Sequence, residues 1–201
     1  MEQLYTKFKS TPTTVDYCVS FYNENSILIN NVSGFNTEYD VLCFTEMYYG
    51  CINSLVQRNQ YNKAIDSIVR VLPVLENGIA KFNINKPKFH HYVWLLWQQG
   101  IAYYYLKDYS QSIGLFTTVN KYEPDNDKAK EWLERSKTDR LAKYPFVLWI
   151  LVLIFTAGSF FGKNYITHNI RSFVLLITFL ILLSTILLEF YIRRKRLRVK
   201  R

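Results

Sequence analysis

The residues best equipped for chemistry in this 201-residue chain are three histidines, three cysteines and 16 carboxylates, and their spacing limits what they can do. His90 and His91 are adjacent, so on a helix they diverge and cannot share one face as metal ligands. Cys18, Cys43 and Cys51 form no CxxC pair and are odd in number, which supports neither a zinc site nor a disulfide framework. They read as reduced thiols packed as small hydrophobes. Asp125-Asn126-Asp127 superficially matches a calcium loop but lacks the glycine and the correctly spaced distal glutamate. It reads as a helix start, with Asp125 as N-cap. Glycine-rich phosphate loops, HExxH helices and GxSxG turns do not occur. The chain therefore reads as a non-enzyme with no catalytic residue, no metal and no cofactor.

Charge is the remaining chemical resource. With 25 Lys and Arg against 16 Asp and Glu the net charge is +9, a value that fits nucleic-acid binders until its distribution is considered. The last nine residues hold seven cations and no acid, whereas residues 1–162 hold 16 cations against 15 acids. No nucleic-acid partner is expected from a body so nearly neutral.

The cationic end directly follows apolar sequence. Residues 144–162 carry no formal charge, and residues 172–192 carry only Glu189. At 1.5 Å rise per residue, both can cross a hydrocarbon layer of about 30 Å. The expected plan is a membrane helix at 143–163, a short external connector at 164–171, a second membrane helix at 172–192 and a basic tail at 193–201. Tyr144, Trp149, Phe190 and Tyr191 suit the interfaces. Lys137, Arg140, Lys143 and the seven tail cations place both termini in the cytoplasm by the positive-inside rule. The polar start, Met1 to Lys9, has no apolar core and does not read as a secretory signal. Glu189 reads as a partner of Arg193 one turn on, or of interfacial water. Arg193, Arg194, Lys195 and Arg196 read as a topology signal that also contacts anionic lipid head groups.

Residues 1–142 must position whatever the protein presents on that face. Their apolar positions recur at three and four, which predicts an all-α domain. Helices are expected at about 13–30, 38–58, 61–82, 89–106, 109–122 and 126–140. The breaks fall at 31–36, around Asn59-Gln60, at 83–87, near Lys107-Asp108 and at Pro124. Such short connections imply antiparallel hairpins.

One of these hairpins carries a repeat pattern. Leu96, Gly100, Tyr103, Ser112, Phe116 and Pro124 stand at the landmark spacings of the tetratricopeptide repeat (TPR), which this stretch resembles. Gln99 stands in a leucine place and Ser112 in an alanine place. A weaker copy precedes it: Gln60 to Ile65 aligns with Asp108 to Ile113, and Ile68 with Phe116. Ala64 and Ser112 lie 48 residues apart, 14 more than the repeat period of about 34, so the second helix of the first copy is extended. The charged segment 125–135 reads as a capping helix. The helix near 13–30 is expected to pack on the first hairpin. The fold class is a TPR-like antiparallel helical bundle followed by a two-helix transmembrane hairpin.

The resemblance implies a protein partner, a peptide or helix bound along the first helix of each repeat. On that face lie Tyr49 and Asn53 from the first copy and Trp94, Trp97, Ile101 and Tyr104 from the second. The stripe either lines a groove or is core beneath the amino-terminal helix. Two roles follow. One is a membrane-anchored TPR adaptor or scaffold, the other a non-catalytic structural or assembly subunit of a membrane complex. A homo-oligomer is compatible with both. The plan is also similar to that of mitochondrial-fission adaptors, which have one span where this chain has two. Its Asn, Ile, Lys and Tyr usage fits an AT-rich bacterial genome, which would make the membrane the inner one.

Overall fold

The computed structural model describes residues 2–161 and 168–199. Met1, residues 162–167, which take in the end of the expected first membrane helix and part of the expected connector at 164–171, and Lys200 and Arg201 lie outside the described residues. The elements are α1 Glu2–Lys9, α2 Val15–Asn30, α3 Glu38–Gln57, α4 Tyr61–Lys81, a 3-10 turn Lys86–Lys88, α5 His90–Tyr105, α6 Tyr109–Tyr122, α7 Asp127–Leu141, α8 Tyr144–Phe161 and α9 His168–Val199. No strand occurs among the described residues.

Local chemistry sets the helix starts. Thr14 Oγ1 accepts the Tyr17 amide at the head of α2. Thr37 and Asp40 form a reciprocal capping box on α3, at 3.1 and 3.0 Å, which satisfies two orphan amides at once. Asp108 caps α6 through the Gln111 amide. At α7 the cap is Asn126, whose Oδ1 accepts the Ala129 amide at 3.2 Å, rather than the expected Asp125. Asn126 also donates to Glu123 at 2.7 Å, so its amide ties the preceding loop to the helix start.

Three helix ends share one device. Asn59, Asn83 and Lys107 adopt φ of 59°, 53° and 64°. The following amides of Gln60, Ile84 and Asp108 reach back to the carbonyls of Leu55, Ile79 and Tyr103 at 2.9 Å each. These are Schellman closures, in which a left-handed residue lets the chain reverse while the last carbonyls stay bonded. The α3–α4 and α5–α6 turns are thus built alike, 48 residues apart, at the register of Ala64 and Ser112.

α3 is the central element, packing on α1, α2, α4 and α5. Its Val41, Phe44, Met47, Tyr48, Cys51, Ile52 and Leu55 are fully buried. α2 packs on α3 and α4, as expected for the helix covering the first hairpin. α5 also packs on α4 and α6. At Gly100 an added Cβ would lie 3.0 Å from the buried ring of Phe116, so the absence of a side chain sets how closely α5 and α6 approach.

Two elements depart from expectation. α1 was not foreseen, because its sequence is polar and its apolar residues few. It is held by Phe8, 3% exposed, against Tyr17 and Phe21, with ring centroids at 6.1 and 5.2 Å. The Tyr17 hydroxyl donates to the carbonyl of Lys7 at 2.9 Å. α9 starts before residue 172 and continues through Val199, so the cationic segment is helical over its described part.

The chain forms two compact units, Met1–Leu133 and Glu134–Arg201. The division falls inside α7, earlier than residue 142. In the second unit α8 and α9 pack together. Among the described side chains the buried residues on α8 are Pro145, Val152 and Ser159, and those on α9 are Thr178, Thr185 and Ile192, each set spaced by seven. That period defines one seam per helix, as in left-handed helix pairs. Trp149 donates its indole N–H to Glu189 Oε1 at 3.0 Å across the pair, and Arg193 lies 3.8 Å from Oε2. Glu189 therefore has a partner on the opposite helix as well as the expected one. Away from the seam most of the large apolar side chains are exposed, among them Phe146, Leu153, Ile154, Phe160, Phe173 and Leu187. Two apolar stretches, within Asp127–Phe161 and Ser172–Arg196, are long and apolar enough to cross a membrane, and little of either is covered by protein.

Candidate partner-binding surface

The six stripe residues separate into two groups. Tyr49 on α3 and Trp94 and Trp97 on α5 line an open groove of about 270 Å³ together with Gln98, Asn126 and Lys128. Asn53 sits against it, accepting from Gln98 Nε2 at 2.8 Å. Trp94 is the exposed anchor, at 40%. Its ring is flanked by Tyr49 at 5.5 Å, His91 at 5.5 Å and His90 at 6.0 Å. Trp97 is half-buried and its ring meets Phe116 edge-on at 6.3 Å.

Ile101 and Tyr104 belong elsewhere. Ile101 packs on the core, and Tyr104 is 8% exposed with its ring edge-on to Trp132 of α7 at 5.2 Å. The stripe is therefore divided: Tyr49, Trp94 and Trp97 line the concavity, whereas Tyr104 is buried against α7 and not, as the core alternative had it, beneath the amino-terminal helix. On α5 the face of Trp94 and Trp97 lines the groove, and further along the helix Tyr104 is covered by Trp132.

Gln98, Asn126 and Lys128 were not foreseen. Gln98 could have been, since it lies one turn after Trp94 on the same face. Asn126 and Lys128 enter through tertiary packing of the α7 start, which has no local signal. The groove lining carries one cation, Lys128, and no carboxylate. Burial pushes the Tyr49 hydroxyl above its ordinary pKa, with a Gln98 hydrogen bond opposing.

A second concavity of about 340 Å³ lies beside α1, lined by Tyr5, Leu42, Cys43, Glu46, Phe89 and His91 among others. Both Glu46 oxygens are occupied by α1, Oε2 by the Tyr5 hydroxyl at 2.6 Å and Oε1 by Lys9. Burial acts to raise the Glu46 pKa, but the Lys9 and Tyr5 bonds outweigh it and hold the carboxyl below its usual range. Burial lowers the His91 imidazole, and Glu46 partly offsets this. His90 instead faces Glu123, 3.7 Å away. No cluster of metal-ligating groups occurs among the described residues. Cys18, Cys43 and Cys51 are free and buried. Burial raises the Cys18 and Cys51 thiols, away from the reactive thiolate.

The cationic cluster is divided as well. Arg193 and Arg194 are exposed. Lys195 Nζ donates to Glu134 at 2.9 Å, and Arg196 donates to Asp139 through Nη2 at 2.8 Å and Nε at 3.2 Å.

These features define an all-helical protein with a grooved bundle and two apolar helices of membrane-crossing length. No protein-family model matches the sequence, and no curated protein or solved structure matches it.

Proposed function

We propose that this chain is a membrane-anchored, TPR-like adaptor, non-catalytic, that binds a segment of a partner protein at the cytoplasmic face of a membrane. The observation that carries the reading is the open groove of Tyr49, Trp94 and Trp97 with the Gln98–Asn53 amide pair beside it. Aromatic side chains give large contact area at small entropic cost and dominate binding energy at many interfaces. Side-chain amides supply the donors and acceptors that an extended backbone needs. The uncovered apolar faces of α8 and α9 would be costly in water and are supplied with a matching environment by lipid. In this reading both helices span as a hairpin, and the surrounding cations hold both termini in the cytoplasm.

Crosslinking capture from native membranes tests the groove, comparing the intact chain with the Trp94→Ala, Lys128→Glu double variant. Trp97 is kept because its packing on Phe116 would confound the result with loss of fold. The variant is expected to lose the partners captured by the intact chain. An unchanged partner set would exclude the groove as the recognition surface.

A further inference from the structure

The cations that follow the second apolar stretch are sorted by the helix they lie on. α9 remains helical past Ile192, so successive side chains turn by about 100° and face different surroundings. Lys195 and Arg196 face the last turns of α7. There Glu134 accepts from Lys195 and, with its other oxygen, from Lys137 at 3.0 Å. Asp139, whose side chain is 17% exposed, accepts both Arg196 contacts. Ser136 and Thr138, between these acids, are buried.

The two ends are nevertheless short of anions. Residues 134–143 and 189–196 hold eight Lys and Arg against three acids, Glu134, Asp139 and Glu189. Each acid is a minority resident among cations, and each faces exposed or half-exposed partners. The Glu134 pairs are partly exposed and of the weak, readily exchanged kind, while Asp139 is more sheltered but faces an exposed arginine. The pairs begin three residues beyond Ile192, the last seam residue, which puts them at head-group depth when α9 spans. An arginine fork and a lysine fit a phosphate as well as they fit carboxylates.

We propose that the ends of α7 and α9 form a charge clasp opened by anionic phospholipid, whose phosphate groups replace Glu134 and Asp139 as partners of Lys195 and Arg196. The inference rests on the membrane reading given above. Lipid is the favoured anion because it is concentrated at that depth, whereas free phosphate is not.

The test uses the full chain in nanodiscs of phosphatidylcholine alone, or with about a third phosphatidylserine. Hydrogen exchange is followed for the amides of 134–141. Exchange there is expected to be about tenfold faster in the anionic discs, with the seam of α8 and α9 unchanged. The Glu134→Gln, Asp139→Asn double variant should exchange fast in both lipids. Equal protection of the intact chain in the two lipids would overturn the clasp, as would a double variant that stays protected in neutral discs. A third arm adds inorganic phosphate to neutral discs at matched ionic strength. Acceleration there overturns the assignment to lipid. Failure of the chain to co-purify with discs would remove the membrane reading itself, whereas co-purification with unaltered protection removes only the clasp.

Discussion

Lys107 holds a left-handed backbone, φ 64°, that Asn59 and Asn83 occupy at the two matching turns. Asparagine tolerates that region better than lysine, and glycine tolerates it best. Lys107→Gly is therefore expected to stabilise the protein by about 0.5–1 kcal/mol, read from denaturant unfolding in detergent. A loss of stability would show that the lysine side chain has a compensating role. Gly100 is the opposite case. Alanine there meets three ring atoms of Phe116 at 3.0–3.3 Å, and should cost about 1–3 kcal/mol by overpacking. Glu46 and His91 both contribute to the acid sensitivity of the bundle. Both have pKa values below their ordinary ones, so the unfolded chain takes up each proton first as pH falls. Stability should decline below about pH 6.5 as the His91 contribution is lost, and again near the ordinary glutamate range as the Glu46 contribution is lost. His91→Phe should flatten the upper part of that decline in thermal midpoint; an identical profile in the variant would refute the assignment.

At the level of elements, α1 depends on Phe8, Leu4 and Tyr5, with polar ties to Glu46 and Tyr17. An eight-residue helix has almost no stability of its own. Phe8→Ala is expected to free α1, with rapid amide exchange in residues 2–9 and little change in α3 and α5. Global unfolding instead would make α1 part of the cooperative core. The legibility of each element follows from the same physics. The breaks at Asn59, Asn83 and Lys107 were readable because local backbone chemistry dictates them. α1 was not, since its order comes from packing outside its own turns, of Phe8 on Tyr17 and Phe21 and of Tyr5 with Glu46. Trp94 and Trp97 were readable as a face of one helix. The burial of Tyr104 depended on Trp132, which periodicity within α5 cannot reveal.

For the molecule as a whole, the proposed orientation in a membrane rests on the cation distribution. Reporter domains fused to the two ends should appear on the same, cytoplasmic side, as the positive-inside rule requires of two spans with cations at both outer flanks. Reporters on opposite sides would leave a single span. The seam of α8 and α9 has a further consequence. Pro145, Val152, Ser159, Thr178, Thr185 and Ile192 are small or branched, and they set the distance between two helices whose outward faces are largely uncovered by protein. Substitution should therefore be governed by volume at these six positions and by hydrophobicity alone elsewhere. Related sequences are expected to drift freely among Leu, Ile, Phe and Val on the outer faces, while every seventh residue along the seam keeps its size.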